Sequence, residues 1–142
     1  MIIVKHTNDL KPNELVEIFK QRTKVFVVEQ NCPYPEVDDD DFDDLHVCLV
    51  EDAKLKAYAR IINKQTHITF GRVLVVKEFR GNGLGKEIVT AALKEITQRF
   101  PNVKIRIQAQ VYLQDFYSSF GFKTISETYL EDGIPHIDMI LR

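Results

Sequence analysis

Arg72-Val73-Leu74-Val75-Val76-Lys77-Glu78-Phe79-Arg80-Gly81-Asn82-Gly83-Leu84-Gly85-Lys86 is an apolar run that breaks into a glycine-rich turn carrying two basic residues and then opens a helix. Glycines at alternate positions remove the Cβ atoms that keep a ligand off the backbone. The helix that follows offers unpaired N–H groups at the positive end of its dipole. An anionic ligand is therefore expected at this turn. Spacing narrows the choice. A P-loop needs glycine where Arg80 stands and Ser or Thr where Glu87 stands, and a dinucleotide fingerprint starting at Gly81 or Gly83 needs a third glycine at Lys86 or Ile88. Both nucleotide readings fail.

The segments around the turn predict a strand, helix, strand unit. Ile88, Val89, Ala92, Leu93 and Ile96 form an apolar helix face that Pro101-Asn102 ends. Val103, Ile105, Ile107 and Ala109 then alternate with Lys104, Arg106 and Gln108, as in a strand with one polar face. Such a unit implies a parallel strand pair with a right-handed crossover, placing the glycine turn at the carboxyl end of its strand.

Upstream, Ile2 to His6 reads as a first strand, and a helix starts near Pro12 and runs to about Phe26, with Leu15, Ile18, Phe19 and Arg22 at helical spacing. His46 to Glu51, Leu55 to Ile62 and Phe70 to Val76 read as a strand meander. Downstream, a short helix covers Leu113 to Ser119. Phe122 to Leu130 and His136 to Leu141 flank Glu131-Asp132-Gly133 as a terminal antiparallel hairpin. The expectation is an α/β (α+β) fold on 1–142 as a single domain, large enough to bury roughly 70% of its unfolded surface.

The charge balance, 19 Lys and Arg against 21 Asp and Glu, lacks the basic excess of a nucleic-acid binder. No stretch of about 18 apolar residues suggests a membrane span. The N-terminal apolar run is too short for a signal peptide, so a cytoplasmic location is expected. Cys32 and Cys48 lack metal-site spacing and are expected as free thiols.

Arg80-x-x-Gly83-x-Gly85 after a strand resembles the acetyl-CoA pyrophosphate loop of the GNAT N-acetyltransferase superfamily. About thirty residues on, Tyr117-Ser118-Ser119-Phe120-Gly121-Phe122 resembles that family's Tyr-x-x-x-Gly-Phe signature. Arg22-x-x-Val25-Phe26-Val27-Val28-Glu29-Gln30-Asn31-Cys32-Pro33-Tyr34, with the acidic stretch behind it and His46, is similar to the ElaA-like branch. The resemblance implies the GNAT fold: a single mixed, mostly antiparallel sheet flanked by helices, with a parallel pair around the CoA site.

It also implies a reaction, in which acetyl-CoA is the co-substrate and a small-molecule or peptide primary amine attacks it directly in a ternary complex. By the resemblance, backbone groups of Val73, Leu74 and Val75 hold the pantetheine arm, with the Val75 N–H near the thioester oxygen. Gly81, Asn82, Gly83, Leu84, Gly85 and Lys86, with the Arg80 side chain, grip the pyrophosphate. Gln110 stands where many members carry the asparagine that contacts CoA. Tyr117 matches the general acid that protonates the departing thiolate.

The base is less plainly marked. Glu29, His46 and His136 are titratable residues near predicted element ends. Glu29 is the first choice because it sits in the branch motif at the end of the first helix, and all three are candidate substrate contacts. The run Asp38 to Asp41 with Asp43 and Asp44 does not fit an EF-hand, since Asp44 stands at the glycine position, so no metal is expected. A solvated acidic loop and a steering surface for a cationic substrate both stay open. So do a monomer and a homodimer, and a CoA-binding regulatory module without catalysis is the competing function.

Overall fold

The computed structural model describes residues 1–142. β1 (Ile2–His6), β2 (Leu45–Glu51), β3 (Lys54–Asn63) and β4 (Ile68–Val75) pair antiparallel in chain order. β5 (Ile105–Gln110) runs parallel to β4 and antiparallel to β8 (Ile134–Leu141), which also carries β6 (Lys123–Thr124) and β7 (Tyr129–Glu131). This is the mixed, mostly antiparallel sheet that the resemblance implies, with its one parallel pair at β4 and β5.

Strand alternation separates two apolar layers. Ala57, Ala59 and Ile61 of β3 join Ile88, Val89, Ala92 and Ile96 of α2 (Leu84–Arg99) in the larger core. Tyr58, between those alanines, turns to the opposite face and packs with Ile18 of α1 (Pro12–Arg22) and with Phe26, Cys48, Leu74 and Val76. Both cysteines are free and buried. α1 starts where Pro12 supplies a fixed φ and the Glu14 carboxylate accepts the Lys11 N–H at 2.8 Å.

The helix expected to reach Phe26 continues to Glu29, but it changes pitch at Thr23 and finishes as a π-helical turn, Thr23–Glu29. Such turns concentrate at functional sites because they re-aim side chains within a helix. The strand expected over Phe122 to Leu130 breaks into β6 and β7. Between them the Ser126 hydroxyl accepts the Asp138 N–H at 2.9 Å, and the Ile125 N–H goes to the Asp138 carbonyl. A side chain thus replaces a ladder rung and bends the strand.

β4 is bulged. Tyr58 pairs with Leu74 and Arg60 with Gly71, so Ala59 alone faces both Arg72 and Val73, and Arg72 sits at a left-handed φ of 50°. The bulge bends β4 away from its parallel neighbour, and the two share the single register pair Ile68 with Ile105. Beyond it the strands splay. The Val76 N–H is spent on Lys56 O of β3 at 2.9 Å, so Val75, one residue earlier, turns its N–H and C=O toward the splayed side.

Candidate active site

The splay opens a cavity of about 880 Å³. Val73, Leu74 and Val75 form one wall and Ile107 to Gln110 the other, while Glu29, Arg80, Tyr117 and His136 also line it. The strand break, the π-helical turn, α3 (Gln114–Ser118) and the hairpin thus bring most of the sequence-expected residues to one space.

The glycine loop follows the carboxyl end of β4 and leads into α2. Gly81 and Gly83 take φ of 87° and 76°, a region where an L side chain is strained. Gly85 is helical, and a Cβ there would make only ordinary contact with Val75 Cγ2. Glu87 is the first residue to donate within the helix, to Gly83 O, and the amides of Gly81 to Lys86 donate to no backbone carbonyl. Six unspent N–H groups at the N-terminus of a 16-residue helix make an anion cradle.

Of that loop only Arg80 lines the cavity. Its Nε–H donates to Val75 O at 2.9 Å and its Nη1 pairs with Glu29 Oε1 at 2.8 Å. Gln110 and Gln30 face each other through their amides at 3.5 Å.

Tyr117 is held by aromatic packing alone, its ring centroid 5.1 Å from Phe116 and 6.1 Å from both Phe70 and Phe122. Burial pushes its phenol above the ordinary range. His136 Nδ1 lies 2.7 Å from Ile134 O; a carbonyl only accepts, so Nδ1 carries the proton and Nε2 is left as an acceptor. Tyr129 stacks on that ring at 6.1 Å and donates its hydroxyl to Asp138.

His46 lies elsewhere. It is fully buried between α1 and the sheet, with Nε2 2.7 Å from Thr7 Oγ1 and Nδ1 2.6 Å from the Tyr58 hydroxyl. The Thr7 hydroxyl already donates to Asp41 O, so His46 donates from Nε2 and accepts at Nδ1. Neutral imidazole satisfies both bonds. Burial, helped by the Arg22 charge, lowers its pKa to about 4.

The acidic stretch divides: Asp38, Asp41 and Asp44, with Glu36 before them, meet three arginines, while Asp39 and Asp43 stay exposed. Arg22, fully buried, bonds Glu36 through Nε at 3.0 Å and Asp41 through Nη1 and Nη2 at 2.6 and 2.9 Å. Arg60 makes a bidentate pair with Asp38 at 2.7 and 2.9 Å, and Arg72 reaches Glu36 at 2.6 Å. Arg72 also lies over the Tyr34 ring at 5.4 Å. Sequence reading missed this hub, although one signal was present: Arg22 occupies the apolar stripe of α1, where an unpaired charge would be untenable.

Asp44 is the ill-satisfied carboxylate of the hub, with no hydrogen bond at Oδ2 and Arg60 at 3.4 Å, and the buried Nε atoms of Arg60 and Arg72 likewise lack a hydrogen-bond partner. Burial raises its pKa to about 7. Its effect on stability opposes that of His46. The unfolded imidazole binds a proton that the folded one refuses, so His46 makes the protein more stable as pH rises from about 4 to 6.5. The folded Asp44 keeps a proton that the unfolded one sheds, so it makes the protein less stable as pH rises from about 4 to 7. Asp44→Asn should remove the second effect: urea melts of the variant gain up to about 3 kcal/mol across that range while the parent stays nearly flat.

A splayed parallel pair with a glycine anion cradle between β4 and α2 defines an acyl-CoA N-acyltransferase fold. A family profile described as the acetyltransferase (GNAT) domain matches residues 8–142. Protein ElaA of Escherichia coli K12 is 40% identical over 139 residues, 94% of this chain and 91% of its own. The crystal structure of Escherichia coli ElaA superposes with a TM-score of 0.95 at 38% identity, covering 100% of this chain and 99% of its own. An acyl-CoA N-acyltransferase from Pseudomonas aeruginosa superposes at 0.94 with 38% identity over 99% and 97% of the two chains. The chain belongs to the GNAT acetyltransferase family, in its ElaA-like branch.

Proposed function

We propose that the protein transfers an acetyl group from acetyl-CoA to a primary amine of a small molecule or peptide, by direct attack in a ternary complex. The observation that carries this reading is the convergence of Val75, Tyr117 and Arg80 on one cavity, with an unspent anion cradle directly following Arg80 in the chain. The loop amides of Gly81 to Lys86 and the Arg80 guanidinium receive the diphosphate. Val73, Leu74 and Val75 hold the pantetheine arm, with the Gln110 amide on the facing strand.

The Val75 N–H meets the oxyanion that forms when the amine adds to the thioester carbonyl, a donor worth about 3 kcal/mol in such a site. Glu29 takes the proton that the amine sheds. His136, whose Nε2 is free to accept, contacts the acceptor.

Tyr117 faces the leaving sulfur. A phenol with an ordinary pKa of about 10 cannot fully protonate a thiolate of about 8.5 without cost, and burial widens the gap. Its part is therefore a strong hydrogen bond to the charge growing on sulfur, with the proton crossing as the C–S bond breaks.

The test is calorimetric titration with CoA and acetyl-CoA, followed by thiol release with a panel holding a polyamine, an aminoglycoside and a lysine-bearing peptide. Binding with turnover of one amine class is expected. Tight binding without turnover across the panel would indicate a regulatory CoA module instead, and no binding would overturn both.

A further inference from the structure

Arg80 bridges two groups that the proposed reaction needs free. Its Nε–H caps the Val75 carbonyl on the splayed side of β4, and its Nη1 neutralises Glu29 at the end of the π-helical turn. The guanidinium thereby lines the cavity, whereas the loop amides that follow it lie outside that lining and donate to no backbone carbonyl. Both side chains are partly exposed, Arg80 at 42% and Glu29 at 33%, so the pair is worth no more than about 1 kcal/mol.

We propose that Arg80 is a latch drawn open by the donor's diphosphate. The inference rests on the CoA reading above and adds an order of events to it. Two phosphates seated on the amides of Gly81 to Lys86 present more charge to the guanidinium than the single Glu29 carboxylate does. A bidentate phosphate contact outcompetes a half-exposed ion pair. As Arg80 turns toward the loop amides it releases the Val75 carbonyl to accept from the pantetheine amide, and it unpairs the Glu29 carboxylate. An acceptor amine then meets an available base only once the donor is in place. The latch makes donor-first binding a property of one hydrogen bond and one ion pair, and it limits base chemistry before the donor binds.

The latch separates ligands that carry a diphosphate from those that do not. Amide NMR titrations would compare CoA with pantetheine, the same arm without the nucleotide and diphosphate, on the parent, Arg80→Ala and Glu29→Gln proteins. Arg80→Ala should weaken CoA by about tenfold through loss of a charge-assisted contact. The same variant should bind pantetheine about two- to fivefold more tightly than the parent, because the Val75 carbonyl is already uncapped. Glu29→Gln should tighten CoA by about two- to fivefold, since the guanidinium no longer has to leave a carboxylate. The latch is overturned if Arg80→Ala weakens both ligands or leaves pantetheine unchanged, or if Glu29→Gln weakens CoA. A parent protein that binds neither ligand would instead overturn the CoA reading itself, a distinct result.

Discussion

Arg22→Met should cost about 3–5 kcal/mol of stability, the loss expected when one member of a buried ion network is removed and its partners stay behind. Arg22 is fully buried, and Glu36 and Asp41 are 5% and 4% exposed, so neither carboxylate can recover its lost partner from water. Burial works to raise the Asp41 carboxyl, but the hydrogen bond from Arg22, with the Asp38 N–H and the charges of Arg22 and Arg60, outweighs it and holds the pKa at about 2. With the Arg22 guanidinium gone, Asp41 keeps only Arg60 Nη1 at 3.1 Å and the Asp38 N–H, so its pKa rises and part of its stabilisation is lost. Urea unfolding at neutral pH measures the loss, and the variant should recover part of it in mild acid, where both carboxylates protonate. A loss under about 1 kcal/mol would show the loop to be held by packing alone. The same substitution loosens the segment carrying Tyr34 and Asp38, both of which line the cavity, so acceptor binding should suffer with the fold.

Tyr117→Phe should lower kcat by about 10²- to 10⁴-fold, the range for removing a positioned proton donor. Stability and CoA affinity should barely move. The ring, which supplies the packing, survives the change, and the lost hydroxyl leaves no buried partner unsatisfied, because no residue bonds it. A fall in kcat with intact CoA binding separates a donor to the leaving sulfur from a core tyrosine. A variant that turns over at the parent rate would assign Tyr117 to packing. Since burial raises the phenol pKa, the parent enzyme should show no alkaline loss of rate from this group below about pH 10.

The parts of the fold legible in the sequence were those written in a local period. β1 came out at its observed bounds, the meander and α2 within a residue or two, and the parallel pair followed from the crossover around the glycine turn. Three features are not local. The pitch change at Thr23 has no periodic mark, since an extra residue per turn over seven positions leaves the apolar spacing of Leu15, Ile18 and Phe19 unaltered. The break between β6 and β7 depends on Ser126 reaching Asp138, twelve residues away.

The acidic stretch left a solvated loop and a steering surface both open because the countercharges of Glu36, Asp38 and Asp41 lie on α1, β3 and β4, and a charge run shows its partners only after folding. At the site, Tyr117, Glu29, His136, Gln110 and the β4 backbone meet at one cavity, whereas His46 does not. Its position at a strand start was visible; that the strand face pointed into the second core, onto Tyr58 and Thr7, was not.

The single rung between Ile68 and Ile105 also has a mechanical meaning. α2 packs on β2, β3 and β4, and six register pairs join β5 to β8. Between the two halves the ladder contributes that one rung, and the remaining attachment is apolar: Phe70 of β4 packs on Tyr117 and Phe122 at ring-centroid distances of 6.1 and 6.0 Å, within a core shared by α2, β5 and β8. A seam held by side chains rather than by a hydrogen-bond ladder fixes the spacing of the halves while leaving the facing backbone edges of β4 and β5 unpaired with each other, so a long, thin ligand can lie between them without breaking a strand hydrogen bond.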